Sequence, residues 1–199
     1  LDPPEPANAT AHYDLGIALA HLGRSADAAD AFDEALRRDP GFAAAAANLT
    51  EVTLRMSDLP RARAAADRFL AIAPASLRAR YSRGIVALRS GDLATARVDF
   101  QALTSAAPRY AVAHYDLAVT EMRSGAYDAA HVEIDLALAE SPTYARARFA
   151  RAVLLVRSGR TADAALDLQR VEDDADDPAL RDLALRLREQ VVDAHHETR

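Results

Sequence analysis

Apolar residues along this chain come in short helical blocks. Leu15, Leu19 and Leu22 make one stripe; Ala28, Ala31, Phe32, Ala35 and Leu36 make a second. Spacings of three and four residues predict amphipathic helices. Gly23-Arg24-Ser25 separates the two stripes, and Asp39-Pro40-Gly41 closes the second. Proline cannot continue a helix interior, and it biases the residue before it away from helix. Residues 9–42 therefore read as a helix, a tight turn and a second helix. The pattern then starts again. Pro40, Pro74, Pro108 and Pro142 lie 34 residues apart with no insertion between them. Gly23, Gly91, Gly125 and Gly159 keep the same period, with Ser57 in the one vacant place.

Numbering each copy from 1 to 34 exposes its packing rules. Position 8 is small throughout (Gly16, Thr50, Gly84, Ala118, Ala152), and position 20 is always alanine (Ala28, Ala62, Ala96, Ala130, Ala164). Small residues in both places predict close approach of the two helices within a copy. Position 24 carries Phe32, Ala66, Phe100, Ile134 and Leu168; position 27 carries Ala35, Phe69, Leu103, Ala137 and Val171. The first two copies exchange Phe and Ala between these places. That conserves volume while changing shape, which cores tolerate.

With glycine at position 15 and proline at position 32, these columns resemble the tetratricopeptide repeat. The resemblance covers five ungapped copies, residues 9–42, 43–76, 77–110, 111–144 and 145–178. It implies an all-α, right-handed superhelical solenoid of helix-turn-helix repeats. Departures from the family pattern are local. His12, Ala46, Arg80, His114 and Arg148 stand where the family has Trp at position 4. Copy 2 lacks glycine at positions 8 and 15, and copy 5 has Asp176 in place of proline. Before the array, residues 1–8 are expected to form a Pro-rich, stiff linker. After it, Asp177-Pro178 reads as a helix start, with proline at its favoured first position. Leu180, Leu183, Ala184, Leu187 and Val191 then form one apolar stripe. Residues 178–199 are thus expected to be a capping helix and tail that cover the last repeat.

Composition narrows the function. The net charge of -6 argues against nucleic acid as a partner, because phosphate binding needs a basic surface. There is no cysteine, hence no disulfide framework, thiol nucleophile or thiolate metal site. No apolar run approaches the roughly 20 residues of a membrane helix, so direct membrane insertion is not expected. The chain begins at Leu1 rather than Met and is expected to be cut from a longer one. The compartment stays open: cytoplasmic, or exported behind an N-terminal signal or anchor. No phosphate-binding loop, zinc-binding His-Glu-x-x-His or serine nucleophile elbow occurs. An enzyme is not expected, nor a cofactor or a metal. His12 and His114 are read as fillers of the missing Trp place, and the run Glu172 to Asp177 as a solvated acidic loop.

The resemblance also implies a concave groove lined by the first helices. Position 5 contributes Tyr13, Ala47, Tyr81, Tyr115 and Phe149; position 9 contributes Ile17, Glu51, Ile85, Val119 and Val153; position 13 contributes His21, Arg55, Arg89, Arg123 and Arg157. The partner-binding candidates are Tyr13, Asn48, Arg55, Tyr81, Ile85, Arg89, Tyr115, Val119, Arg123, Phe149 and Arg157. Two readings stay open for the aromatics, packing or anchoring a ligand. Two stay open for the arginines as well, a solvated lip or a track for acidic groups. The family's two-carboxylate chaperone clamp is not expected, because of its positions only Asn48 matches outright. Ala47 is expected to leave a dent between Tyr13 and Tyr81, or to be drift in an Ala-rich helix. The predicted function is a non-catalytic scaffold that binds another protein or peptide segment, one with acidic groups included. The alternatives are a structural subunit of a larger complex, or a homo-oligomer formed through the repeat ends. The first alternative predicts apolar patches on the second helices, which read as largely polar (Arg61, Arg63, Asp67 and Arg68; Arg97, Asp99 and Gln101).

Overall fold

The computed structural model describes the backbone of residues 6–197 and the side chains of residues 8–191. These residues form eleven helices and no strand: α1 Pro6–His21, α2 Ser25–Arg38, α3 Ala43–Arg55, α4 Leu59–Ile72, α5 Leu77–Ser90, α6 Leu93–Ala106, α7 Ala111–Ser124, α8 Tyr127–Glu140, α9 Ala145–Arg157, α10 Thr161–Asp174 and α11 Pro178–Glu197. Helix α1 takes in Pro6 to Asn8, the last residues of the expected linker; its first five lie outside the described residues. No described helix is long and apolar enough to cross a membrane.

The turn within each copy follows from one backbone constraint. Gly23, Gly91, Gly125 and Gly159 all have φ between 75 and 82°. In every copy the next residue's N–H returns to the carbonyl five residues back, as from Arg24 to Leu19 and from Asp92 to Ala87, each at 2.9 Å. This is the left-handed C-terminal cap that glycine adopts without strain. Ser57 takes the same place at φ 60°, the one described non-glycine residue with positive φ.

Packing within a copy rests on position 8 lying under position 24. A Cβ on Gly16 would come 2.6 Å from the Phe32 ring, and one on Gly84 would come 2.7 Å from the Phe100 ring. Both rings are fully buried. Where position 8 is larger, position 24 is smaller: Thr50 with Ala66, Ala118 with Ile134, Ala152 with Leu168. Thr50 is buried, and its hydroxyl donates to the Ala46 carbonyl at 2.8 Å.

The chain divides into two compact units, residues 1–100 and 101–199. In the first, α1 to α5 pack each on the next, and α3 also touches α5. Phe32, Leu36, Leu49, Val52 and Phe69 lie at the centre of its core. In the second, α7 to α11 pack in the same sequential way. Helix α11 lies on α10 and α9, with Ala184 and Val191 buried and Leu180 and Leu187 against the core. Leu183, read as part of that stripe, points outward and is 49% exposed.

Two outcomes are expected. Gly84→Ala should destabilise the protein by about 1–3 kcal/mol through overpacking against Phe100, measured by denaturant unfolding. Ser57→Gly should stabilise it by about 0.5–1 kcal/mol, by relieving a left-handed backbone that a side chain disfavours.

Candidate functional site

Each first helix turns one face toward its partner helix and another away, and position 5 lies at the seam. Tyr13 packs on Phe32 (ring centroids 5.8 Å apart) and on Phe42 (4.8 Å). Its hydroxyl accepts a hydrogen bond from Asn48 Nδ2 at 3.2 Å. Tyr81 packs on Phe100 at 6.2 Å, and Tyr115 meets Tyr144 edge-on at 5.2 Å. Phe149 rests against the core formed with Leu155 and Leu168. The aromatic column is therefore part of the packing, with its ring edges half-exposed. Phe42 and Tyr144, which share position 34, are working members that the sequence reading passed over. Ala47, in the same column, is buried in the core.

The arginine column is also tied to the fold. Arg89 donates to the Leu54 carbonyl at 2.8 Å and to Ser57 Oγ at 3.3 Å, capping the end of α3 in the preceding copy. That places a cation at the negative end of a helix. The Arg157 guanidinium lies 3.8 Å from the centre of the Tyr127 ring, a cation–π contact. Arg55 is exposed, 3.9 Å from Glu51, and Arg123 is exposed. Ile85 and Val119 are half-buried between these columns.

A recess of about 190 Å³ opens on the first-helix face of the first unit. Ile17, Ala20 and His21 of α1 and Asn48, Glu51 and Arg55 of α3 line it, with Phe32 below. Two pairs in the lining come from equivalent places in adjacent copies, Ile17 with Glu51 and His21 with Arg55.

Position 4 and its neighbours form polar networks in place of the missing Trp. Both ring nitrogens of buried His114 face acceptors: Nδ1 stands 2.6 Å from Glu133 Oε2, and Nε2 stands 2.9 Å from the Pro108 carbonyl. Arg148, also buried, donates to the Pro142 carbonyl and to Asp174. Arg83 grips Asp99 with two hydrogen bonds of 2.7 and 2.8 Å, and Arg151 grips Asp167 at the same distances. These bonds hold both guanidinium groups above their ordinary pKa. Asp99 was read as a surface residue and is fully buried. The shared places of the two pairs, positions 7 and 23, are the signal that could have revealed them.

The acidic run is mostly engaged. Glu172 takes two hydrogen bonds from Arg188 at 2.6 and 2.9 Å, Asp174 pairs with Arg148 at 3.2 Å, and Asp177 caps α11 through the Ala179 N–H. His195 and His196 lie outside the described side chains. The second helices depart from the expected polar surface. Val98, Val132 and Leu166, all at position 22, are each about 60% exposed. In the second unit, Leu166 borders a recess of about 370 Å³ that includes His131, Asp135, Arg151, Arg160 and Arg170.

An all-helical chain of paired helices with this turn and packing code defines a class of repeat scaffold. The chain belongs to the tetratricopeptide repeat family, whose model matches residues 2–41, 51–111 and 115–179. Members are generally non-catalytic, and the class is one of protein–protein interaction scaffolds. No curated protein matches the chain. Among solved structures, MamA of Desulfovibrio magneticus RS-1, from residue 41 to its end, is 20% identical, with a TM-score of 0.78, over 85% of this chain and 98% of that one. YrrB, described as a tetratricopeptide-repeat protein with an unusual peptide-binding site, is 17% identical, with a TM-score of 0.71, over 89% and 90%. TTC0263 of Thermus thermophilus is 23% identical, with a TM-score of 0.69, over 89% and 97%. These likenesses show the fold.

One consequence is pH-dependent. Burial, and then the charge of Asp116, push the Tyr144 hydroxyl up to about 12. A raised phenol favours the neutral form in the folded state. Its contribution is therefore complete below the ordinary value near 10 and lost as pH climbs toward about 12. Denaturant midpoints measured across that window should fall less steeply for Tyr144→Phe than for the wild type.

Proposed function

We propose that the chain is a non-catalytic adaptor that receives a segment of another protein along the face of its first helices. The observation that carries this reading is the recess between α1 and α3. It has the size of a side chain, an apolar floor (Ile17, Ala20, Phe32) and an amide, a carboxylate and an arginine at its rim. An aliphatic side chain of the partner fills it, and Asn48 hydrogen-bonds the adjoining peptide group. Because the walls are held by Tyr13, Phe32 and Phe42, binding orders little of the receptor. The peptide-binding description of YrrB is in keeping with this assignment.

Acidic groups on the partner are read by fewer arginines than the full column. Arg89 and Arg157 are engaged within the fold, so Arg55 is the rim cation assigned to that task in the first unit. A second reading has its own support. The exposed Val132 and Leu166 on second helices of the second unit suit a larger assembly contacted from that side.

Short peptides selected from a display library on the immobilised chain give the test. Ile17→Glu and Asn48→Ala should each weaken the selected peptides about tenfold or more, while Leu166→Glu leaves them unchanged. Loss of binding on Leu166→Glu alone would transfer the function to the second-helix surface.

A further inference from the structure

Helix α1 is apolar on two sides. One side packs on α2. The other carries Ala11, Leu15 and Ala18, is continued by Leu22 one residue past the helix end, and is exposed, with Leu15 at 50% and Leu22 at 74%. An apolar stripe on a helix is a face to be buried against another element. The repeat itself shows what that element is. Ala11 and Ala18 occupy positions 3 and 10. The equivalent residues in the second, third and fifth copies are Ala45 and Val52, Ala79 and Val86, and Ala147 and Leu154; none of them is more than 3% exposed. In those copies the preceding second helix covers the face, as α2 covers α3, α4 covers α5 and α8 covers α9. Leu49, the equivalent of Leu15 in the second copy, is buried likewise. At Ala11, Leu15 and Ala18 the outer face of α1 thus continues an interface that the molecule completes elsewhere, whereas Leu22 extends it at a position that is exposed in the other copies.

The spacing of the four residues points to the occupant. Steps of four, three and four are a heptad seam, which suits a second helix lying alongside. In an antiparallel arrangement about a two-fold axis, Leu22 of one copy meets Ala11 of the other, and Leu15 meets Ala18. Each large residue then faces a small one. On the flank, exposed Asp14 comes beside His21 of the other copy, and no described arginine lies on this face of α1. We propose that α1 is a self-association helix, through which two copies of this chain pair antiparallel along Ala11, Leu15, Ala18 and Leu22. A two-fold interface is self-complementary by nature, as this seam is. Apart from His21 at their common edge, the pairing uses the face of α1 turned away from the recess.

Two measurements test it. Sedimentation over a concentration series should show a dimer for the wild type. Leu15→Glu/Leu22→Glu, which alters only exposed side chains, should raise the dissociation constant at least about tenfold while helical content is unchanged. The chain has no cysteine, which permits the second test. Ala11→Cys and Leu22→Cys, oxidised after mixing, should give a cross-linked dimer that neither variant gives alone. A wild type that stays monomeric would overturn the proposal, and so would a dimer that survives both glutamates. Cross-links formed by each variant alone would overturn the antiparallel register. A monomer would assign the face instead to a helix of another protein or another segment.

Discussion

The contact on which the rest depends is the aromatic or aliphatic side chain at position 24 seated over the backbone at position 8. In the first and third copies the ring lies so close that only glycine leaves room for it. That proximity sets the distance between the two helices of a pair. It also sets the angle at which position 5 meets the core and where position 13 ends up. The other copies reach the same arrangement with different sizes, Thr50 with Ala66 and Ala118 with Ile134. Volume conserved across the pair is what lets the residues vary while the period of 34 holds.

On this frame the polar residues divide into those that complete the fold and those that remain for a partner. Arg83–Asp99 and Arg151–Asp167 are two-pronged pairs with one member buried. Removing one member of such a pair strands the other charge, so breaking either pair is costly. Arg89 and Arg157 serve the fold too, one at a helix end and one over a ring. What looked like a continuous cationic track resolves into individual arginines with separate duties. In the first unit, the recess between α1 and α3 brings side chains of mixed character together with space between them.

The period, the turns and the pairing of helices were legible in the sequence because glycine and proline act through local backbone geometry. The roles of the site residues were less so. A repeat position says which face a residue is on, but not which neighbour a long side chain reaches. Arg89 extends to a carbonyl 35 residues back, and buried Asp99 is met by Arg83, 16 residues earlier, and by Arg80. Ala47 illustrates the converse: a small residue in an aromatic column is itself buried by its neighbours. Leu15 looks like a core residue, as Leu49 and Leu117 are at the same position, and its place in the first helix leaves it open.

The central claim is that positions 8 and 24 act as one packing unit, and a double-mutant cycle in the fourth copy tests it most directly. Ile134→Phe alone imports the ring without the space for it and should destabilise by about 1–3 kcal/mol. Adding Ala118→Gly recreates the arrangement of the third copy. The double variant should recover stability, with a favourable coupling above about 1 kcal/mol. Additivity within about 0.5 kcal/mol would contradict it, showing that the two positions pack independently and that the exchange of sizes between copies is incidental.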